Sequence, residues 1–276
     1  MADLRIGFMQ GRLSPIRNGR IQSFPWETWR DEFEAASRIS IKRIEWTIDS
    51  ENFTSNPLLT LEGRQEIIRL KSFFNVEIPS VTCDYFMENP PWKSDPEPIL
   101  AGIKSILLGM LQIDAKILVV PLVDNSSLGS TVKTSQVEAF FRPITNLLRE
   151  NNMRIAFETD LSEENFSEFI EEFEEDCFGI NYDIGNSASL GFDPAKEFEA
   201  IGKRVINVHV KDRLLGGTTV PLGSGNADFS MVFKCLKACG YVGNLIMQTA
   251  RATDDNHDAV LARYRDQIVS WMEEAK

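Results

Sequence analysis

Cysteine and histidine are both scarce in this 276-residue chain, and positive charge is in deficit. The four cysteines, Cys83, Cys177, Cys235 and Cys239, include no C-x-x-C pair, so neither a redox dithiol nor a thiolate zinc site is expected. Cys235 and Cys239 stand four apart on a helical pattern and read as small buried hydrophobes sharing one face. No disulfide framework is present, which suits a reducing cytoplasm. Lysine and arginine total 29 against 41 acidic residues, a formal net charge of −12. Such a surface repels phosphate backbones and anionic membranes, so neither nucleic acid nor a lipid surface is the expected partner. No apolar stretch approaches the roughly 20 residues of a membrane helix. The start, Met1-Ala2-Asp3-Leu4-Arg5-Ile6, lacks the basic-then-apolar pattern of a signal peptide. A soluble cytoplasmic protein is expected.

What is present is an ordinary globular composition, 43% hydrophobic and 25% charged. Short β-rich runs alternate with longer helical patterns. The strands are expected at Leu4–Met9, Lys42–Thr47, Ile78–Thr82, Lys116–Pro121, Arg154–Glu158, Gly179–Asp183, Val205–Val210 and Asn244–Gln248. Helices are expected between them, among them Trp26–Arg38, Pro98–Leu111, Ser135–Glu150 and Pro194–Ala200. Eight such units in this length predict a single α/β domain over residues 1–276, a (β/α)8 TIM barrel. A doubly wound sheet would be expected to carry G-x-G-x-x-G after its first strand; the chain has Gln10-Gly11-Arg12-Leu13-Ser14-Pro15. The proline-rich loop Asp84–Pro98 after the third strand is placed to cover the barrel mouth or to be a plain surface excursion.

Barrel chemistry sits at the carboxyl ends of the strands. The fifth strand ends on Glu158, the sixth on Asp183, the seventh carries His209 and the eighth ends on Gln248. Buried carboxylates placed together repel unless a cation joins them. Oxygen donors with one imidazole and no thiolate suit Mn, Mg, Co or Zn as a divalent ion. The competing reading is four unrelated polar strand ends, each satisfied by a loop or a cap.

With Met9-Gln10-Gly11-Arg12-Leu13, Ile44-Glu45-Trp46, Phe157-Glu158, Asp183-Ile184-Gly185-Asn186, His209-Val210-Lys211-Asp212, Leu222-Gly223-Ser224-Gly225 and Gly240-Tyr241-Val242-Gly243 in this order, the chain resembles the xylose isomerase-like barrel superfamily of sugar-phosphate isomerases and epimerases along nearly its whole length. That resemblance implies a metal held by Glu, Asp, His and Glu from strands five to eight. The two glutamates would pass a proton through an enediolate while the metal polarises the substrate oxygens. Glu158, Asp183 and His209 match; the fourth position is Gln248, whose amide can ligate but cannot take a proton at neutral pH.

The expected function is therefore a metal-dependent isomerase or epimerase of a small sugar or sugar phosphate, with Glu158 as base. Two alternatives remain open: a dehydratase-type lyase on a keto-polyol, and a non-catalytic sugar-binding relative that has lost the second carboxylate. Phosphodiester cleavage, also found in the superfamily, needs about three metals and many histidines; this chain has two, His209 and His257. Arg12, Lys211, Arg213 and Arg251 are candidates for a substrate phosphate or carboxylate, with surface ion pairing as their competing role. Asn186 stands where many relatives place a substrate-facing histidine, and a turn or cap is its alternative role. Trp46 is a candidate apolar wall and equally a core residue. Glu45 is a candidate structural partner for a rim cation, and a homo-oligomer stays open.

Overall fold

The computed structural model describes residues 5–17, 19–129 and 132–275. Eight parallel strands close into a barrel: β1 (Ile6–Met9), β2 (Ile44–Ile48), β3 (Ser80–Cys83), β4 (Ile117–Leu122), β5 (Arg154–Thr159), β6 (Phe178–Asp183), β7 (Val205–Val210) and β10 (Asn244–Met247). Between the last two, β8 (Asp212–Arg213) and β9 (Thr219–Val220) form a small antiparallel hairpin at the rim. Each strand pairs with its sequence neighbours, and β1 against β10 closes the cylinder through Ile6↔Leu245, Gly7↔Ile246 and Phe8↔Met247. Leu4, expected in the first strand, lies outside the described residues.

Alternation along the strands builds two environments. The outward residues of β5 and β6 join a phenylalanine cluster: Phe157 stacks on Phe178 at 5.8 Å and meets Phe141, Phe169 and Phe173 at 4.9–5.4 Å. Inward residues of β2, β3, β6 and β7 are instead polar and buried: Glu45, Ser80, Thr82, Asn181, Asn207 and His209. A register shift between Ile180 and Asn181 brings Asp183 level with His209 on the neighbouring strand.

Some elements depart from expectation for local reasons. The helix expected over Ser135–Glu150 is divided into Thr134–Phe141, a 3-10 turn at Arg142–Ile144, and Thr145–Glu150; Pro143 has no N–H to continue the ladder. The helix expected from Trp26 starts at Asp31. The one expected at Pro98 starts at Pro96, where the Asp95 carboxylate accepts the Glu97 N–H at 3.1 Å. The loop after β3 opens with a short helix, Asp84–Glu88, and another follows β6 at Ile184–Leu190. Cys83 and Cys177 are buried, whereas Cys235 and Cys239 are partly exposed, and all four are free thiols.

Candidate metal centre

Glu158, Asp183 and His209 project inward from three adjacent strands, and one ligand atom from each lies within 4.8 Å of the others. All three are buried. The imidazole is gripped from both sides. Its Nε2 lies 2.7 Å from Glu45 Oε1, and its Nδ1 lies 3.2 Å from Glu158 Oε2 and 3.8 Å from Asp183 Oδ2.

Glu45 is the anchor of this arrangement. It is fully buried, and four donors converge on it: Thr82 Oγ1 and His209 Nε2 on Oε1, Ser80 Oγ and Asn207 Nδ2 on Oε2. Burial acts to raise its pKa, but His209 and the two hydroxyls override it and hold Glu45 below the usual carboxylate range. Burial likewise acts to lower the pKa of His209; the carboxylates of Glu45, Asp183 and Glu158 override it and hold the ring well above its ordinary value. Asp183 is brought down to about 2 against its own burial, through Lys211 and His209.

Two asparagines fix Glu158. Asn181 Nδ2 donates to Oε2 at 2.7 Å, and Asn186 Nδ2 donates to Oε1 at 2.6 Å. The Asn186 backbone N–H donates to Asp183 Oδ1 at 2.8 Å, so Asp183 is N-cap of the helix Ile184–Leu190 and cluster residue together, and Asn186 is not itself a cap. Lys211 Nζ sits between Asp183 Oδ2, at 2.7 Å, and Gln248 Oε1, at 2.8 Å. Gln248 itself lies just past β10, its N–H donating to Val210 O at 3.1 Å.

These residues fit a divalent ion. With the Nε2 proton directed to Glu45, the Nδ1 lone pair faces Glu158 and Asp183, the carboxylate–histidine pairing typical of ligating imidazoles. Buried His209 Nδ1 and Asp183 Oδ2 both lack a hydrogen bond of regular geometry. In the metal-free arrangement a protonated imidazole and the Lys211 ammonium together offset three buried carboxylates. A divalent ion held by Glu158, Asp183 and His209 would supply the positive charge in place of that proton and would compete with Lys211 for Asp183.

Above the cluster opens a cavity of about 340 Å³, lined by Glu158, Asn186, Lys211, Arg213 and Gln248 together with Arg20, Gln22, Asp49, Asp84 and others. Arg213 donates to Asn186 Oδ1 at 2.8 Å and to Gly217 O, which ties the rim hairpin to the site. The other candidates are placed elsewhere. Trp46 is fully buried against Phe24 and Trp29, its Nε1 donating to Asn56 Oδ1 at 2.9 Å. The Arg12 guanidinium is buried and spends its donors on Thr249 O and Ile21 O at 3.0 Å and on Gln22; burial, then Arg251, lowers its pKa to about 9. Arg251 donates to Ser14 O. These three hold loops and core together and are not part of the cavity wall.

Asp84, Arg20 and Gln22 were not anticipated as site residues. Asp84 had a readable signal, since it directly follows β3, but that strand was expected to end at Thr82. Arg20 and Gln22 lie in an irregular loop, which carries no periodic signal.

A model of the xylose isomerase-like TIM barrel family matches residues 33–273. Over 100 residues the chain is 35% identical to the L-ribulose-5-phosphate 3-epimerase UlaE of Salmonella typhi, a match covering 36% of this chain and 35% of that protein, about a third of the relative's length. Among solved structures, D-allulose 3-epimerase from Methylomonas sp. in complex with D-allulose superposes with a TM-score of 0.74 at 14% identity, over 97% of this chain and 96% of that one. A xylose isomerase-like TIM barrel protein from Mycobacterium smegmatis in complex with magnesium gives 0.71 at 14% identity, over 99% and 98%. With the family match spanning most of a chain that closes as a parallel eight-stranded barrel, this protein belongs to the xylose isomerase-like TIM barrel family.

Proposed function

We propose that this chain is a divalent-metal-dependent isomerase or epimerase of a small sugar or sugar phosphate, with Glu158 as the base. One observation carries the reading: Glu158 belongs both to the three-residue cluster and to the wall of the 340 Å³ cavity. A carboxylate that faces both the candidate ion and the cavity stands where a proton beside a substrate carbonyl would be removed. Cavities of this size take small organic ligands. Arg20, Lys211 and Arg213 on its wall suit hydroxyls or a phosphate. The epimerase names of the relatives agree with this substrate class.

Asn181 and Asn186 hold one oxygen each of Glu158 and orient the carboxylate toward the substrate. Glu45 keeps the Nδ1 edge of His209 turned to the cluster. A bound Mn, Mg, Co or Zn ion would stabilise negative charge developing on the substrate oxygens. Gln248 Oε1 is the proposed fourth donor, available once Lys211 withdraws from it. Among the described residues no helix is long and apolar enough to cross a membrane, and the cytoplasm is the proposed compartment.

The test is metal analysis with solvent exchange. Purified protein supplied with each metal should hold one ion per chain, lost in Glu158→Ala and His209→Ala. In D2O it should place deuterium beside the carbonyl of at least one member of a panel of aldoses, ketoses and their phosphate esters. No exchange with any sugar under any metal would overturn the reading; loss of water from a keto-polyol would move it to the lyases.

A further inference from the structure

We propose that Asp84 is the second proton-transfer group of this site, working on the substrate's oxygens while Glu158 works at carbon. The inference rests on the isomerase reading above and deepens it. Gln248 removes the carboxylate that the eighth strand would otherwise supply. Asp84 puts a carboxyl into the same cavity from β3, two strands from Glu158.

Its orientation is set by side-chain contacts that reach it from Gln248 through Gln22, a link that does not depend on Lys211. Lys211 is paired to Asp183 at 2.7 Å and donates to Gln248 Oε1 at 2.8 Å. Gln248 Nε2 donates to Gln22 Oε1 at 2.8 Å, and Gln22 Nε2 donates to Asp84 Oδ2. Gln248, unable to act as a base, thus positions Asp84 through Gln22. An amide can keep its N–H on Gln22 while its oxygen turns to a metal, so the two roles of Gln248 are compatible. The other oxygen of Asp84, Oδ1, accepts no hydrogen bond among the described residues. Nor is Asp84 spent as a cap: the short helix it opens has Cys83 at the cap position and no side-chain cap bond.

The surroundings suit a group that gives and takes a proton at neutral pH. Burial raises the pKa of Asp84 to about 7 against the Gln22 bond, and the carboxylates of Glu158, Asp49 and Glu88 push the same way. The remaining charged groups near it are Arg12 and Arg20 from the loop after β1, Asp124 after β4, and Lys211 and Arg213 after β7 on the wall of the same cavity.

The step balances without a co-reactant. Glu158 takes the proton from the carbon beside the carbonyl, and that C–H pair becomes the new C=C bond. The carbonyl π pair moves to oxygen, which receives the Asp84 proton. Asp84, now a carboxylate, removes the proton from the neighbouring hydroxyl, whose oxygen re-forms a carbonyl as Glu158 returns its proton to the adjacent carbon. Both residues end as they began, and the carbonyl has moved by one position.

Asp84→Asn is nearly isosteric and tests this on the Mn²⁺-supplied protein, with the sugar that wild type exchanges. General acid–base groups contribute about 10²–10⁴-fold. The expected result is a kcat lowered by at least ~100-fold, with KM within about threefold and the limb near pH 7 gone from the rate profile. A purely structural role would lower thermal stability or raise KM and leave that limb in place. A kcat within about threefold of wild type, or a retained limb, overturns the proposal. Wild type that exchanges no sugar sinks the parent reading instead. Asp84 is then judged by infrared difference spectra of wild type against the variant. A carboxylic C=O band titrating near pH 7 supports it, and a group ionised throughout pH 5–8 overturns it.

Discussion

Replacing Glu45 with Gln changes one atom 2.7 Å from the imidazole, and its consequence for metal binding can be worked through atom by atom. Both oxygens of Glu45 are acceptors, and the amide must turn one of them into a donor. If the NH₂ takes the place of Oε1, it faces His209 Nε2 and Thr82 Oγ1. The hydroxyl can rotate to accept, but the ring must then carry its proton on Nδ1, the edge turned to Glu158 and Asp183, and can no longer ligate there. If the NH₂ takes the place of Oε2, it faces Ser80 Oγ and Asn207 Nδ2. Asn207 must then flip its amide, which disturbs its 2.9 Å bond to Asn181 Oδ1 and, through Asn181, the 2.7 Å bond to Glu158. Either outcome reaches a ligand. Loss of a buried partner behind a metal-bound histidine costs about 10–100-fold in affinity, roughly 1.4–2.7 kcal/mol. Titration calorimetry with Mn²⁺ or Co²⁺ on Glu45→Gln should show that loss while the barrel stays folded by circular dichroism. Unchanged affinity in a folded variant would refute the role given to Glu45 and the ligating edge assigned to His209.

Lys211 would compete with a bound cation for Asp183 Oδ2, so Lys211→Met should tighten metal binding, by about tenfold on the strength of one partly buried ion pair. Weaker binding in that variant would show that Lys211 supports the site rather than occupying it. Glu32 gives a stability prediction with a definite sign. It is fully buried and accepts N–H bonds from Gly11 and Leu13 at 2.9–3.0 Å, yet burial raises its pKa from 4.5 to about 7. A raised carboxyl pKa contributes stability that is complete below the unfolded value and lost as pH rises through the folded one. At about 1.4 kcal/mol per pH unit the loss is roughly 3 kcal/mol, and Asp84 adds a loss of the same sign. The Tm of metal-free protein should therefore fall from pH 5 to pH 8, less steeply in Glu32→Gln; a Tm that rises over this window would contradict the burial argument.

The architecture and the three cluster residues were legible in the sequence because strands and their carboxyl ends are written locally. Short β-rich runs separated by helical stretches mark the strands, and the carboxyl end of each strand marks the rim. Glu158, Asp183 and His209 follow from strand position, the charge logic of grouped carboxylates and the family resemblance taken together. What surrounds them depends on closure. Glu45 and His209 are 164 positions apart and meet only because the cylinder brings β2 and β7 to face each other across its interior. The path from Lys211 through Gln248 and Gln22 to Asp84 spans four segments of the chain, and no spacing rule connects them. Trp46 and Arg12 show the reverse. Their residue types suit a sugar site, but the pleat turns Trp46 outward into the helix layer and the loop after β1 folds over Arg12. The sequence by itself determined the barrel and most of the strand ends that form its rim; only the tertiary structure decided which side chains, from strand ends and loops alike, face the cavity, because facing depends on pleat, register and closure, and closure joins segments that are far apart in the chain.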